Sequence, residues 1–173
     1  MFRRVFLVLF SITLVGAAQA QTEADRPASF AGSLVEVPSQ RIAIRHTVYV
    51  PAYSTIRLGG GQGKLELATT LSIHNISEKR PLILMRVEYL GTAGNLLHSY
   101  LPAPIAIRPL GSVEAFVPAE DTRGGTGANF IVEWAADGQI ADPLIEAIMV
   151  GTRGAQGFSF TSRGKTMINA LPQ

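Results

Sequence analysis

From Arg41 almost to the C-terminus, apolar side chains recur at every second position in short runs, and Gly, Pro, Asn and Asp separate the runs. A period of two sends alternate side chains to opposite faces of a β-strand, whereas an amphipathic helix needs a period near 3.6. Ile42, Ile44, Val48 and Val50 share one face against Arg45 and Thr47, and Pro51 interrupts the ladder. A second run follows at Tyr53–Leu58, and Gly59–Gly63 is a flexible connection. Leu65, Leu67, Leu71 and Ile73 alternate with Lys64, Glu66, Ser72 and His74, which predicts one long half-buried strand. Ile83, Met85, Val87 and Tyr89 alternate with Arg86 and Glu88, and Gly91–Asn95 reads as a hairpin turn into Leu96–Leu101. Pro102 and Pro104 belong in a loop or at an edge, because proline has no N–H to give to a ladder. Val113, Ala115 and Val117 form a further inward set, as do Phe130, Val132 and Trp134.

Pro143–Val150 admits two readings. Asp142-Pro143 suits a helix start, with an acid at the cap and Pro in the first turn. Ile145, Ile148 and Val150 favour a buried strand, and Gly151–Gly157 then reads as a loop into Phe158–Ser162. The strand is the preferred reading. The count becomes about eight or nine strands at spacings of roughly 8–12 residues, the pattern of an all-β, immunoglobulin-like antiparallel sandwich. No long helical pattern exists to cross over parallel strands. A small closed β-barrel is the alternative.

The expected organisation is a signal peptide over residues 1–20, a flexible lead-in over 21–40 and one sandwich domain over 41–173. Arg3 and Arg4 precede an apolar run, Val5–Val15, that only Ser11 and Thr13 break, and Ala18-Gln19-Ala20 is a small-x-small cleavage site. Cleavage is therefore expected after Ala20. The run is shorter than the roughly 20 residues that span a bilayer. Arg3-Arg4-Val5-Phe6-Leu7 is similar to a twin-arginine signal core, but the n-region is short and no basic residue precedes the cleavage site, so general secretion is favoured. Nothing later resembles a transmembrane segment, and the expected location is the periplasm or the cell exterior. Removing Arg3 and Arg4 reduces the 15 basic residues to 13, equal to the 13 acids, so net charge points to no anionic partner. The absence of cysteine excludes a disulfide scaffold, a thiol nucleophile, thiolate-held iron or zinc, and a lipidated N-terminal Cys.

Four blocks carry a resemblance. They are His46–Ser54, Ala68–Asn75, Asp121–Trp134 and Gly157–Gly164. In that order they resemble a bacterial family known only as domain-of-unknown-function family 3124. The resemblance implies an exported globular module and supplies no substrate, reaction or partner. Some members look like envelope lipoproteins, which this cysteine-free chain cannot be. A looser likeness is to sandwich modules in which a strand ends in Asn, a strand pair follows across a Gly turn, and Pro-Leu-Gly precedes the next strand. Asn75, Gly94 and Pro109-Leu110-Gly111 occupy those places. That pattern argues for fold alone.

The most singular segment is Glu120–Phe130, where Gly124, Gly125, Gly127 and Ala128 lie among Asp121, Arg123 and Asn129. Glycine-rich backbone can offer N–H groups to an anion. Here no Lys-Ser/Thr and no helix follow, so a nucleotide-phosphate loop is excluded. The competing reading is a tight inter-strand loop with positive-φ glycines. Arg153 and Arg163, with Gln156, Ser159 and Ser162, form a polar basic group near the C-terminal hairpin that suits a carboxylate, phosphate or sulfate, or is a solvated strand face. The contact set expected from sequence is thus Asp121, Arg123, Gly124, Gly125, Asn129, Arg153 and Arg163. The partner is expected to be an envelope protein or a glycan, with no cofactor and no nucleic acid.

Two rival readings stand beside this binding module. An envelope hydrolase would use Glu133 or Asp121, with Glu146 as a second carboxylate, although no Gly-x-Ser-x-Gly or Ser-x-x-Lys signature is present. A metal-binding protein would use His46, His74 and His98 with Met85, Met149 and Met167, although no ligand spacing supports it. Core packing is the simpler role for Met85, Met149 and Trp134.

Overall fold

The computed structural model describes residues 28–39 and 41–167; the expected signal peptide, with its cleavage site at Ala20, lies outside them. Among the described residues no helix is long and apolar enough to cross a membrane.

The first sheet is built on β2 (Ile44–Pro51), β6 (Leu82–Leu90) and β10 (Asn129–Ala136), with β1 (Leu34–Val35), β7 (Leu96–Ser99), β8 (Ile105–Ile107) and β13 (Lys165–Thr166) at its margins. Its order is β1-β8-β6-β10-β2-β13, and β7 also pairs with β6. The second sheet runs β12-β11-β5-β9, from β5 (Ala68–His74), β9 (Ser112–Val117), β11 (Leu144–Arg153) and β12 (Gln156–Arg163). A separate ribbon joins β3 (Thr55–Leu58) to β4 (Gly63–Glu66). All pairings are antiparallel. The two sheets face each other across one core, with Trp134, Tyr89, Phe130, Leu71 and Met149 fully buried between them. The protein is therefore an all-β antiparallel sandwich of immunoglobulin-like plan. Neither sheet closes on itself, which sets aside the closed barrel.

Residues 144–153 form a strand, which settles the ambiguous segment, and the following turn is tighter than expected, because Arg153 already pairs with Gln156. The sheet also begins earlier than Arg41, since Leu34 and Val35 pair with Ile107 and Ala106.

Three expectations about strand faces need correction. The run Lys64–His74 is two strands, because the chain turns at Leu67, whose N–H donates to the Ser54 carbonyl at 3.0 Å. Leu65, Leu67, Leu71 and Ile73 are buried on both sides of that corner, so the period of two passes through it unbroken. In β6 the expected inward set of Ile83, Met85, Val87 and Tyr89 is divided. Glu133 pairs with Arg86 but Trp134 with Leu84, so Met85 is an extra residue in β6 and the faces exchange there. Leu82 and Leu84 enter the main core with Val87 and Tyr89, while Ile83 and Met85 pack with Ala106 and Ala135 in a satellite cluster on the other face. Ile42, finally, lies before β2 and is exposed.

A single glycine carries the chain from the second sheet to the first. Gly164 separates β12 from β13, its N–H donates to the Ile145 carbonyl at 2.8 Å, and a Cβ there would stand 2.6 Å from Val48 Cγ1 and 3.1 Å from the Ile145 oxygen. The Ser162 hydroxyl donates to the Pro51 carbonyl beside it. Both neighbours of the missing Cβ are buried core or ladder backbone, so Gly164→Ala is expected to destabilise the fold by about 1–3 kcal/mol. Chemical denaturation of the variant measures this; an unchanged midpoint would mean that the corner is looser than described.

Candidate functional site

The glycine-rich segment is a pair of short 3-10 turns, Thr122–Gly127, interrupted at Gly125, whose φ is 71°. Asp121 caps it. The Asp121 carboxylate accepts from Arg123 N–H at 3.3 Å and from Arg123 Nε and Nη2 at 2.7 Å each. These bonds from Arg123 hold the Asp121 carboxyl below the usual carboxylate range, and the same pairing raises the guanidinium. Asp121 is thus an ionised, paired acceptor near neutral pH, a poor starting point for a general acid or base.

The loop's polar backbone is turned inward. The Thr92 hydroxyl donates to the Gly124 carbonyl at 2.8 Å and accepts from Gly127 N–H at 3.0 Å, and Thr92 N–H donates to the same Gly124 carbonyl at 3.0 Å. Ser54 N–H donates to the Gly125 carbonyl at 3.0 Å, and Ala52 N–H to the Ala128 carbonyl at 2.8 Å. Three connections that are distant in sequence are therefore locked together: residues 52–54, the hairpin turn after β6, and the glycine loop. The glycines are steric requirements. A Cβ on Gly124 would lie 2.0 Å from the Tyr89 hydroxyl, and one on Gly127 would lie 2.9 Å from Thr92 Cγ2. Burial pushes the Tyr89 phenol up, and the Tyr100 phenol, whose OH donates to the Phe116 carbonyl at 2.9 Å, is likewise raised mainly by burial.

The sequence-expected contact residues fall in different places. Gly124 and Asn129 are buried and shape the loop, while Arg123 is exposed on it. Arg153 pairs with Gln156 at one end of β12, and Arg163 pairs with Glu146 at the other. At a strand rise of about 3.3 Å per residue they stand roughly 23 Å apart, so the two arginines do not form one cluster.

The candidate carboxylates also separate. Glu133 points out of the first sheet opposite Trp134, where Arg45 Nη1 lies 3.3 Å from its Oε1. Arg86 Nε lies 3.5 Å from Glu133 Oε2, an ion-pair distance without a hydrogen bond. Glu146 lies between buried Ile145 and Ala147, which points it out of the second sheet. The two acids therefore face away from one another, on opposite outer faces of the sandwich. The histidines are dispersed too. His46 packs on Trp134 with ring centroids 5.0 Å apart, His74 shares a 2.7 Å hydrogen bond with Ser72, and His98 meets the Tyr100 edge at 4.5 Å. Met149 is buried in the main core. Among the described residues no group of three His, Cys, Asp or Glu is placed to hold a metal.

What sequence reasoning missed lies beside the loop. A shallow cleft of about 190 Å³ opens between Gly125-Thr126 and the β3–β4 ribbon, with Thr92, Arg57 and Lys64 among the residues that line it. Arg57 and Lys64 are direct cross-strand partners. Arg57 Nη1 donates to the Gly61 carbonyl at 3.0 Å, and neither cation lies within ion-pair distance of an acid among the described residues. Like charges directly opposite on a two-stranded ribbon repel. The sequence signal was present in Arg57 and Lys64, placed on either side of Gly59–Gly63, but it becomes legible only once those glycines are read as a tight turn.

Among solved structures the chain is similar to Thermotoga maritima 1070, with 12% sequence identity, 69% of this chain and 92% of that chain covered, and a TM-score of 0.41. At that score the likeness carries no argument. No curated protein matches the chain. The segment that contains the second sheet, all of the first sheet but β1 and Ile44, the glycine loop and the cationic ribbon, residues 45–167, matches a family described as "Protein of unknown function (DUF3124)", and the chain belongs to that family.

Proposed function

We propose that the protein is an exported, non-catalytic binding module of the cell envelope that engages an anionic group in the cleft between its glycine-rich loop and the β3–β4 ribbon. The observation that carries this reading is the Arg57–Lys64 pair, two cations held opposite each other without an acidic partner among the described residues. An anion seated between them relieves their repulsion and gains charge-assisted hydrogen bonds. The Thr92 and Thr126 side chains and the Gly125 backbone border the same cleft. The loop's inward hydrogen bonds supply rigidity, so little ordering is lost on binding. The signal-like N-terminus, with its site at Ala20, supports delivery of this domain, residues 41–173, to the periplasm or the exterior. The paired state of Glu133 and Asp121 speaks for binding over hydrolysis.

Dextran sulfate is the probe, with uncharged dextran as its control. The wild-type protein is expected to bind the sulfated polymer with an affinity that falls as salt rises, since exposed charges are screened. Arg57→Ala/Lys64→Ala is expected to lose about tenfold or more, because two charge-assisted contacts are removed. Equal binding by the variant, at an unchanged melting temperature, would place the contact elsewhere.

A further inference from the structure

The outer face of the second sheet can be read row by row from its register. Thr161 of β12, Ile148 of β11, Thr70 of β5 and Phe116 of β9 are successive cross-strand partners. Arg163, Glu146, Ser72 and Glu114 form the next row in the same way. Directly paired residues share a face. The residues that alternate with them, among them Leu71, Ala115, Ala147 and Met149, are buried in the core, so both rows point outward. Phe116 is 52% exposed and Val150, which follows on the same face of β11, is 47% exposed. Apolar groups left open side by side mark a contact surface.

The charges identify what that surface fits. The cation of the second row stands on one edge strand, β12, and Glu114 stands on the other, β9. Neither Arg163 nor Glu114 nor Glu146 lies within ion-pair distance of an opposite charge among the described residues. A two-fold axis parallel to the strands, midway between β11 and β5, lays β12 of one copy over β9 of another and keeps each row over itself. Arg163 then meets Glu114 of the second copy, Glu114 meets its Arg163, and Glu146 meets Ser72. Phe116 covers Thr161 and Ile148 covers Thr70. An axis across the strands at this row would instead set Arg163 against Arg163 and Glu146 against Glu146.

We propose that this face is the interface of a symmetric homodimer, with Val150, Ile148 and Phe116 as its apolar centre and two Arg163–Glu114 pairs fixing its register. Four strands about 4.8 Å apart, each about seven residues long, present roughly 400 Å² per copy. That is at the small end of specific interfaces, so the dimer is weak and reversible. None of these residues lines the Arg57–Lys64 cleft, and the contact does not depend on that site.

Sedimentation velocity of the folded protein from micromolar to millimolar concentration tests the assignment. A reversible monomer–dimer equilibrium is expected. Arg163→Glu and Glu114→Arg each set like charges opposite one another and are expected to weaken the dimer about tenfold or more, and the double variant, which exchanges the charges, is expected to recover most of that loss. Phe116→Ser removes apolar contact and is expected to weaken it by a similar factor. All of these positions are exposed, so the melting temperature of the dilute monomer checks that each variant folds. A monomer at every concentration, a dimer that Phe116→Ser and Arg163→Glu leave unchanged, or a double variant no tighter than either single one would each overturn the assignment.

Discussion

Gly124→Ala is expected to destabilise the protein by about 3 kcal/mol, the upper end of the usual cost of overpacking a core. The new methyl would meet the Tyr89 hydroxyl at 2.0 Å, Tyr89 Cζ at 2.8 Å and Ala128 Cβ at 2.7 Å. None of these neighbours can step aside cheaply. Tyr89 is 1% exposed and its ring lies 5.1 Å from that of Phe130, itself fully buried. Ala128 is tied to the residue that follows β2 through the bond from Ala52 N–H to its carbonyl. The strain must therefore pass into the lock formed by Ser54, Thr92 and the glycine loop, and the cleft beside Gly125 should distort with it. Urea denaturation reads the loss. Tyr89→Phe in the same background removes the nearest clashing atom but leaves the ring, so it should restore part of the stability. A double-mutant cycle with no coupling between the two positions would contradict this packing.

Asn75→Ala is expected to cost about 3 kcal/mol by a different mechanism, because buried carbonyls that lose their donor keep the full penalty of desolvation. Asn75 is 2% exposed. Its Nδ2 donates to the carbonyls of Arg80 at 2.9 Å, Arg108 at 3.0 Å and Ile107 at 3.1 Å, and its Oδ1 accepts from Ser77 N–H at 3.0 Å. Asn75 N–H also donates to the Gly111 carbonyl at 2.9 Å. One side chain thus fastens the end of β5 to the turn before β9, where Leu110 adopts a positive φ of 60°. Asn75→Asp keeps the size but turns an oxygen toward carbonyls in place of the NH2 group, so it should be at least as damaging as alanine. If Asp were better tolerated than Ala, the carbonyl-clamping role would be wrong. Denaturation midpoints of the two variants decide it.

These residues show which features a linear reading reaches. Alternation identified β5, β9 and β10 and their inward faces, because a period of two and a half-buried strand are the same physical statement. Ile145, Ile148 and Val150 mark β11 as a buried strand, but its inward set is Ile145, Ala147 and Met149, and Val150 is exposed. Alternation failed where the backbone changes partner without changing period, as at Leu67, and where an extra residue exchanges the faces, as at Met85. Asn75 and Pro109-Leu110-Gly111 stood out in sequence as punctuation, and the structure joins them through the Asn75 amide. The glycine loop was visible as composition, but its glycines answer to Tyr89 and Thr92, more than thirty residues earlier in the chain. No local pattern encodes such a contact. Arg57 and Lys64 escaped notice because each alone is an ordinary strand charge, and only the hairpin register sets them opposite one another. Arg153 and Arg163 erred in the other sense, since ten residues of separation can be a tight cluster or the length of a strand.

The claim that joins these findings is that the cleft between the glycine loop and the β3–β4 ribbon is the contact surface for an anionic group. Backbone amide resonances followed during titration with a sulfated oligosaccharide test it residue by residue. Saturable shifts should centre on Arg57, Lys64, Thr92, Gly125 and Thr126, the residues around that cleft. Shifts centred on Arg153 or Arg163, with the loop and ribbon unmoved, would contradict it.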